Sequence, residues 1–287
     1  MKRFLLATDL SSRADRALER SIQLARSHEG HLTILHVVDE DLPAGVRNQH
    51  LAAAEAEIGT VLKNADGARD VEVSILVTTG RDHLTILETA ERDACDLIVV
   101  GRHRDEAAEG PLRGTTMERM MRQGTTPVLV VADRADAPYR NIMVGVDFSV
   151  FSRFAVKAAF AVAADADFHF VHAYQVPFEG FLPGRGVQRE VSREREQTLS
   201  RMVDEEMDIL LQAGAGGASD DMKERVHRIL RDGEVLSVLR SEAARLKPDL
   251  LVIGTHGRVG IAHAMLGSVA ENLLNHPPCD VLAVKAW

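Results

Sequence analysis

The chemistry-bearing stretch of this chain runs from Gly254 to Ser268: Gly254, two residues, Gly257, nine residues, then Gly267-Ser268. It follows the apolar run Leu250–Ile253 and precedes Val269–Leu274, so it joins the end of a buried strand to the start of a helix. Glycines let backbone N–H groups approach phosphate oxygens, and a helix N-terminus adds partial positive charge. The stretch therefore reads as an anion cradle, with the Ser268 hydroxyl at or beside the helix cap. Asp147, at the end of the strand pattern Ile142–Val146, is the second candidate, since strands of one sheet bring their carboxyl ends to one edge. The competing role for Asp147 is a plain helix cap, since Phe148-Ser149 follows it.

The frame G-x2-G-x9-G-[S/T], with Thr255-His256-Gly257-Arg258 and Leu266-Gly267-Ser268-Val269 around it, resembles the nucleotide loop of the ATP-binding universal stress proteins. The resemblance covers nearly the whole chain, taken as two tandem domains. It implies ATP as ligand, with Mg²⁺ arriving on the nucleotide, and Gly254, Gly257, Arg258, Gly267, Ser268 and Val269 as contacts in the phosphate and ribose cradle. It places Asp147 near the adenosine end. Ala173 stands where the family usually has a valine that meets adenine through its backbone, which leaves less apolar surface for the base.

A second copy of the frame lies earlier in the chain and departs from the pattern. Gly101, two residues, Arg104, nine residues and Gly114-Thr115 keep the spacing but lose the middle glycine. An arginine there occupies volume that phosphates need, and its Cβ penalises a positive φ. Arg102, Arg104 and Arg113 are cancelled by Asp105, Glu106 and Glu109, whereas residues 255–266 carry Arg258 alone. The first site, with Asp9 and Val37 as the counterparts of Asp147 and Ala173, is expected to be degenerate.

The elements that must hold these loops are written twice. Phe4–Ser11 matches Ile142–Ser149, Asp96–Gly101 matches Asp249–Gly254, and Pro127–Val131 matches Asp280–Val284. Gly80, Gly101 and Gly114 pair with Gly233, Gly254 and Gly267 at one constant spacing, so a whole domain is duplicated rather than a short solenoid repeat. In the first copy, strands are expected at Arg3–Ala7, His31–Val38, Val71–Val77, Leu97–Val100 and Pro127–Val131. Helices are expected at Ser12–His28, Leu51–Leu62, Leu84–Arg92 and Thr115–Arg122. In the second, Leu199, Met202, Val203, Met207, Leu210 and Leu211 mark the second helix, and Gln175–Val191 is an irregular loop. Apolar strands alternating with amphipathic helices imply an α/β fold. It consists of two tandem, doubly wound, parallel five-stranded sheets, Rossmann-like and similar to the adenine-nucleotide α-hydrolases. The domains span residues 1–133 and 139–287, joined by the polar segment Ala132–Pro138. A sheet order of 3-2-1-4-5 would place the reversal between the first and fourth strands, where Asp147 and Gly254 end. Each copy finishes on an apolar strand that needs a partner. Family members pair these edges across a dimer, so the two copies are expected to pair within one chain, with further homodimerisation left open.

Composition narrows the function. The formal charge of −9 opposes a nucleic-acid partner, and no apolar run is long enough to cross a membrane, so a cytoplasmic protein is expected. Cys95 and Cys279 read as small core residues, and the histidines (His169 and His172 on opposite strand faces) show no metal-ligand spacing. No Walker lysine or nucleophile–base pair is present. The leading expectation is therefore a nucleotide-dependent regulatory module of the stress response, not an enzyme, with at most slow ATP hydrolysis. The alternatives are a non-catalytic scaffold or apolar small-ligand carrier, and an ATP-consuming enzyme of the same fold.

Overall fold

The computed structural model describes residues 1–11, 14–102, 116–133, 135–174, 205, 208, 209, 212, 224–255 and 266–285. Strands β1 (Arg3–Ala7), β2 (His31–Asp39), β3 (Glu72–Gly80), β4 (Leu97–Gly101) and β5 (Val128–Val131) alternate with helices α1 (Ala14–Ser27), α2 (Ala44–Asn64), α3 (Asp82–Arg92) and α4 (Thr116–Gln123). The second half supplies β6 (Asn141–Gly145), α5 (Val150–Val162), β7 (Asp167–Tyr174) and β8 (Val226–Asp232). It continues with α6 (Val235–Leu246), β9 (Leu250–Gly254), α7 (Ser268–Asn275) and β10 (Asp280–Val284). Leu199, Met202, Val203, Met207, Leu210 and Leu211, which mark the expected second helix, lie outside the described residues, as does the loop Gln175–Val191.

The ten strands among the described residues form one sheet in the order β3-β2-β1-β4-β5-β10-β9-β6-β7-β8. Each half thus has the expected 3-2-1-4-5 order, with parallel pairing inside it. The seam is the antiparallel pair β5–β10, in which Val130, Leu129 and Val128 face Val281, Leu282 and Ala283. Neither β5 nor β10 is left as an open edge, and the residues at the seam are fully buried.

One core covers each face of the sheet. On the first, Ala17, Leu18 and Ile22 of α1 join Ala155, Val156 and Phe160 of α5 over Leu6, Leu129, Val144 and Leu282, so the core crosses the seam. The α1 pattern explains why that helix lies there: its apolar residues fall on one stripe, with Asp15 in the first turn and Arg26 in the last complementing the dipole. On the other face, α3, α4, α6 and α7 contribute Ile86, Met120, Leu239 and Leu273.

Two carboxylates repeat the same structural job. Asp96 Oδ2 accepts the backbone N–H groups of Lys2 and Arg3 at 2.6 and 3.0 Å. Asp249 Oδ2 accepts those of Arg140 and Asn141 at 2.8 and 2.9 Å. Each ties the start of a central strand to the strand beside it, on the side away from the glycine loops. Helix α2 begins at Ala44, seven residues ahead of the apolar pattern at Leu51, behind Pro43 at its N-cap. Proline's fixed φ suits a helix entry, which the periodicity alone does not reveal.

Candidate functional site

The strand order reverses between β6 and β9, and their register brings the candidate residues to one edge. Val144 faces Val252, so both chains leave the sheet side by side, β6 toward Asp147 and β9 through Gly254. On the other flank, Gly145 faces Val171, two residues before Ala173. Asp147, Ala173 and Gly254 therefore gather at the carboxyl ends of three adjacent strands. Gly257 and Arg258 lie outside the described residues, as do Arg104, Gly114 and Thr115 of the first copy.

The glycine loop is closed at its base. Thr255, which is buried, donates its N–H to Val284 O at 2.9 Å, and its carbonyl accepts the N–H of Gly267 at 2.9 Å. This sets the start of α7 beside the end of β9. Gly267, not Ser268, is the N-cap of α7, and Ser268 and Val269 are its first two residues. With a glycine there, no N-cap side chain satisfies the first-turn N–H groups. Ser149 and Glu234 do so for α5 and α6. First-turn N–H groups that no cap side chain takes are able to bind an anion at a helix end.

Asp147 is not the cap of α5; Ser149 is, accepting from Ser152 N at 3.3 Å. Asp147 sits two residues earlier, where its Oδ1 accepts the N–H of Ser149 at 3.0 Å and the hydroxyl of Ser152 at 2.5 Å. The backbone N–H of Asp147 in turn donates to Ser152 Oγ at 2.8 Å. Between these residues Phe148 takes φ 61°, a left-handed conformation unusual for a bulky side chain. The first copy repeats the turn: Asp9 Oδ1 accepts Ser11 N at 3.0 Å, and Leu10 has φ 60°. Such strain persists only where the surroundings impose it. A histidine supports it in both halves, with His36 Nδ1 2.9 Å from Thr8 O and His172 Nδ1 2.8 Å from Val146 O. His172 also packs its ring 4.5 Å from that of Phe148. The recurrence of a histidine in the second strand of each half, His36 in β2 and His172 in β7, was the signal in the sequence for this brace.

His169, on the opposite face of β7, stacks on His227 at 4.8 Å, and burial followed by the neighbouring His227 lowers its pKa. No group of three metal-ligating side chains occurs among the described residues. Burial pushes the Cys95 thiol up to about 11 and that of Cys279 higher still, which suits packing residues and not nucleophiles.

The first copy retains a cleft at the corresponding edge. A cavity of 560 Å³ is lined by Ala7, Thr8, Asp9, Val37 and Gly101, among others. Its volume lies in the range of about 300–1,000 Å³ typical of small-molecule sites.

Family comparison agrees with the duplication seen in the sheet. The model of the universal stress protein family matches residues 1–132 and again 138–285. The chain belongs to the universal stress protein family. A universal stress protein of Mycolicibacterium smegmatis is 24% identical over 98% of this chain and 96% of its own length. One of Methanocaldococcus jannaschii is 29% identical over 51% of this chain and 82% of its own. Among solved structures, a universal stress protein from Archaeoglobus fulgidus superposes with a TM-score of 0.69 at 18% identity, covering 98% of this chain and 97% of that one. This likeness shows a shared fold. Among the described residues no helix is long and apolar enough to cross a membrane.

Proposed function

We propose that this universal stress protein is a nucleotide-dependent regulatory module whose second half binds ATP. The observation that carries the reading is the Thr255–Gly267 backbone bond, which holds the uncapped start of α7 against the end of β9 at the strand-order reversal. In open α/β sheets ligands bind in that crevice. Gly254, Gly257, Gly267 and Ser268 would cradle the phosphates, with Arg258 and Val269 beside them. Asp147 and Ala173 would flank the adenosine end. Mg²⁺ would enter on the phosphates, compensating their charge beside a stretch, residues 255–266, whose single Lys/Arg is Arg258.

The braced Asp147 turn suits recognition more than turnover. Its carboxylate is already engaged by Ser149 and Ser152, which fits a reading in which any hydrolysis would be slow. Occupancy would bias binding of a partner in the cytoplasm.

Calorimetric titration with ATP and Mg²⁺ tests the reading together with Gly257→Arg, which writes the first copy's residue into the second. One nucleotide per chain is expected for the parent, with at least about a hundredfold loss in a variant whose circular dichroism is unchanged. Equal affinity in parent and variant would remove Gly257 from the phosphate cradle. Absence of binding in the parent would overturn the function.

A further inference from the structure

We propose that the outer edge of β3 docks a second copy of this chain, the two β3 strands pairing antiparallel about Leu76 across a two-fold axis. This goes beyond nucleotide binding by the second half and does not depend on it.

The sheet ends on β3 at one side and on β8 at the other. All nine residues of β3 are in register with β2, from Glu72 opposite His31 to Gly80 opposite Asp39. Among the described residues no strand pairs with its other side, so a row of backbone N–H and C=O groups faces outward. Edge strands ordinarily carry charges or proline that block further pairing. β8 follows that rule, with His227, Arg228 and Arg231 in its seven residues. β3 does not: residues 73–80 read Val-Ser-Ile-Leu-Val-Thr-Thr-Gly, without a charge or a proline. Its many β-branched residues suit a paired, pleated surface. Ile75 at mid-strand is 39% exposed, although it shares a face with Val73 and Val77, which pack on the core under α2. On the opposite face Leu76 is half-buried at the margin of the second core.

The strand is complementary to itself, which singles out a second copy as the occupant. Pairing about Leu76 sets Leu76 against its own copy, Ile75 against Val77, Ser74 against Thr78 and Val73 against Thr79. Aliphatic groups meet aliphatic groups and hydroxyls meet hydroxyls, and Glu72 meets Gly80 instead of another carboxylate. The Ile75–Val77 pairs would extend the apolar row that now stops at the edge. The same operation on β8, about Ile229, opposes His227 to Arg231 and Val226 to Asp232. One patch facing its own copy closes after two chains, so the product is a dimer and not a fibre. Nine residues make a contact about 30 Å long. With the flanking layers it covers about 600 Å² per copy, at the lower end of specific interfaces. The dimer should therefore be reversible.

Sedimentation equilibrium of the full chain tests the proposal. The parent should dimerise with a dissociation constant of about 10 μM. Ile75→Lys, which places an edge-blocking charge at a part-exposed position, should weaken the dimer at least about tenfold with circular dichroism unchanged. Cysteine variants read the register separately: position 76 lies beside its own copy, whereas position 74 lies about 13 Å from its copy. A short bismaleimide should trap Leu76→Cys as a covalent dimer and leave Ser74→Cys untrapped. A parent that stays monomeric well above 10 μM (about a hundredfold dilution range on either side being scanned) would overturn the proposal. So would a dimer that a folded Ile75→Lys leaves intact, or one that both cysteine variants trap equally. Should Ile75→Lys fail to fold, the cysteine pair decides alone.

Discussion

Arg20, on α1 of the first half, places its Nε 3.2 Å from Oδ2 of Asp280, the first residue of β10 in the second half. Both side chains are buried, and the carboxylate is fully so. Tyr139, from the connecting segment, donates its hydroxyl to the same Oδ2 at 2.6 Å, while Oδ1 accepts the N–H groups of Ala132 and Asp133 at 2.8 and 3.0 Å. The guanidinium lies 4.1 Å over the Tyr139 ring, and its Nη1 donates to Ala137 O. One carboxylate thus joins a helix of the first half, the linker and a strand of the second. Repetition of the domain does not repeat this contact: Ala158 and Pro127 stand at the matching positions. The polar cluster marks which half is which at an otherwise apolar seam.

Removing Asp280 should therefore be costly. Asp280→Ala leaves the Arg20 charge buried without its carboxylate and two linker N–H groups without an acceptor, so a loss of about 3–5 kcal/mol is expected in urea unfolding. The pair Arg20→Met with Asp280→Leu removes both charges and should recover part of that loss. The recovery stays incomplete because the N–H groups of Ala132 and Asp133 remain unpaired. A loss below about 1 kcal/mol for Asp280→Ala would show that the cluster is relaxed in the protein.

That cluster was invisible in the sequence, whereas the sheet around it was not. Apolar runs at Arg3–Ala7 and Leu97–Val100 identify β1 and β4 because a buried parallel strand can tolerate little else. The apolar strands Val128–Val131 and Val281–Val284 show that each edge needs a partner, and the family resemblance points to the β5–β10 seam. Arg20, by contrast, sits in an amphipathic helix where arginine ordinarily faces water, and only the packing of α1 over the seam buries it. The same limit applies at the site. Gly254, Gly267 and Asp147 were legible from spacing, but the cap residue Ser149 and the left-handed Phe148 depend on how the chain turns off β6. The strain at Phe148 is a tertiary effect that no propensity records.

Acidification should weaken the fold in a defined window. Burial lowers the pKa of His28, whose Nε2 lies 3.0 Å from Val162 O across the seam, and of His169. A histidine with a depressed folded value binds protons more readily once unfolded. Its stabilisation is present above the ordinary value of 6.5 and is lost as pH falls through 6.5 toward the folded values. The urea midpoint should accordingly drop between pH 7.5 and pH 5.5 at constant m-value, and drop less in His28→Gln. A midpoint that is flat or rises over this interval would contradict the burial of these rings.

The two halves differ most pointedly at Gly257 and Arg104, and reversing that difference tests whether one residue separates a nucleotide site from its degenerate copy. Arg104→Gly restores the family frame, since Gly101, Gly114 and Thr115 are already present, with Asp9 and Val37 at the adjoining strand ends. The cleft needed for the base is there as well, with its 560 Å³. If the arginine alone excludes phosphate, the variant should bind two ATP per chain where the parent binds one. Asp82 at the mouth and Asp105, Glu106 and Glu109 in the loop still oppose a triphosphate, so the added site should be the weaker one. Salt screens repulsion as it screens attraction, with a Debye length near 10 Å at about 0.1 M. The added site should therefore tighten between low and moderate salt, in contrast to a site built on attractive charge. A parent that already binds two ATP per chain would refute the degenerate reading of the first half, and a variant that still binds one would shift the cause from Arg104 to the acidic residues.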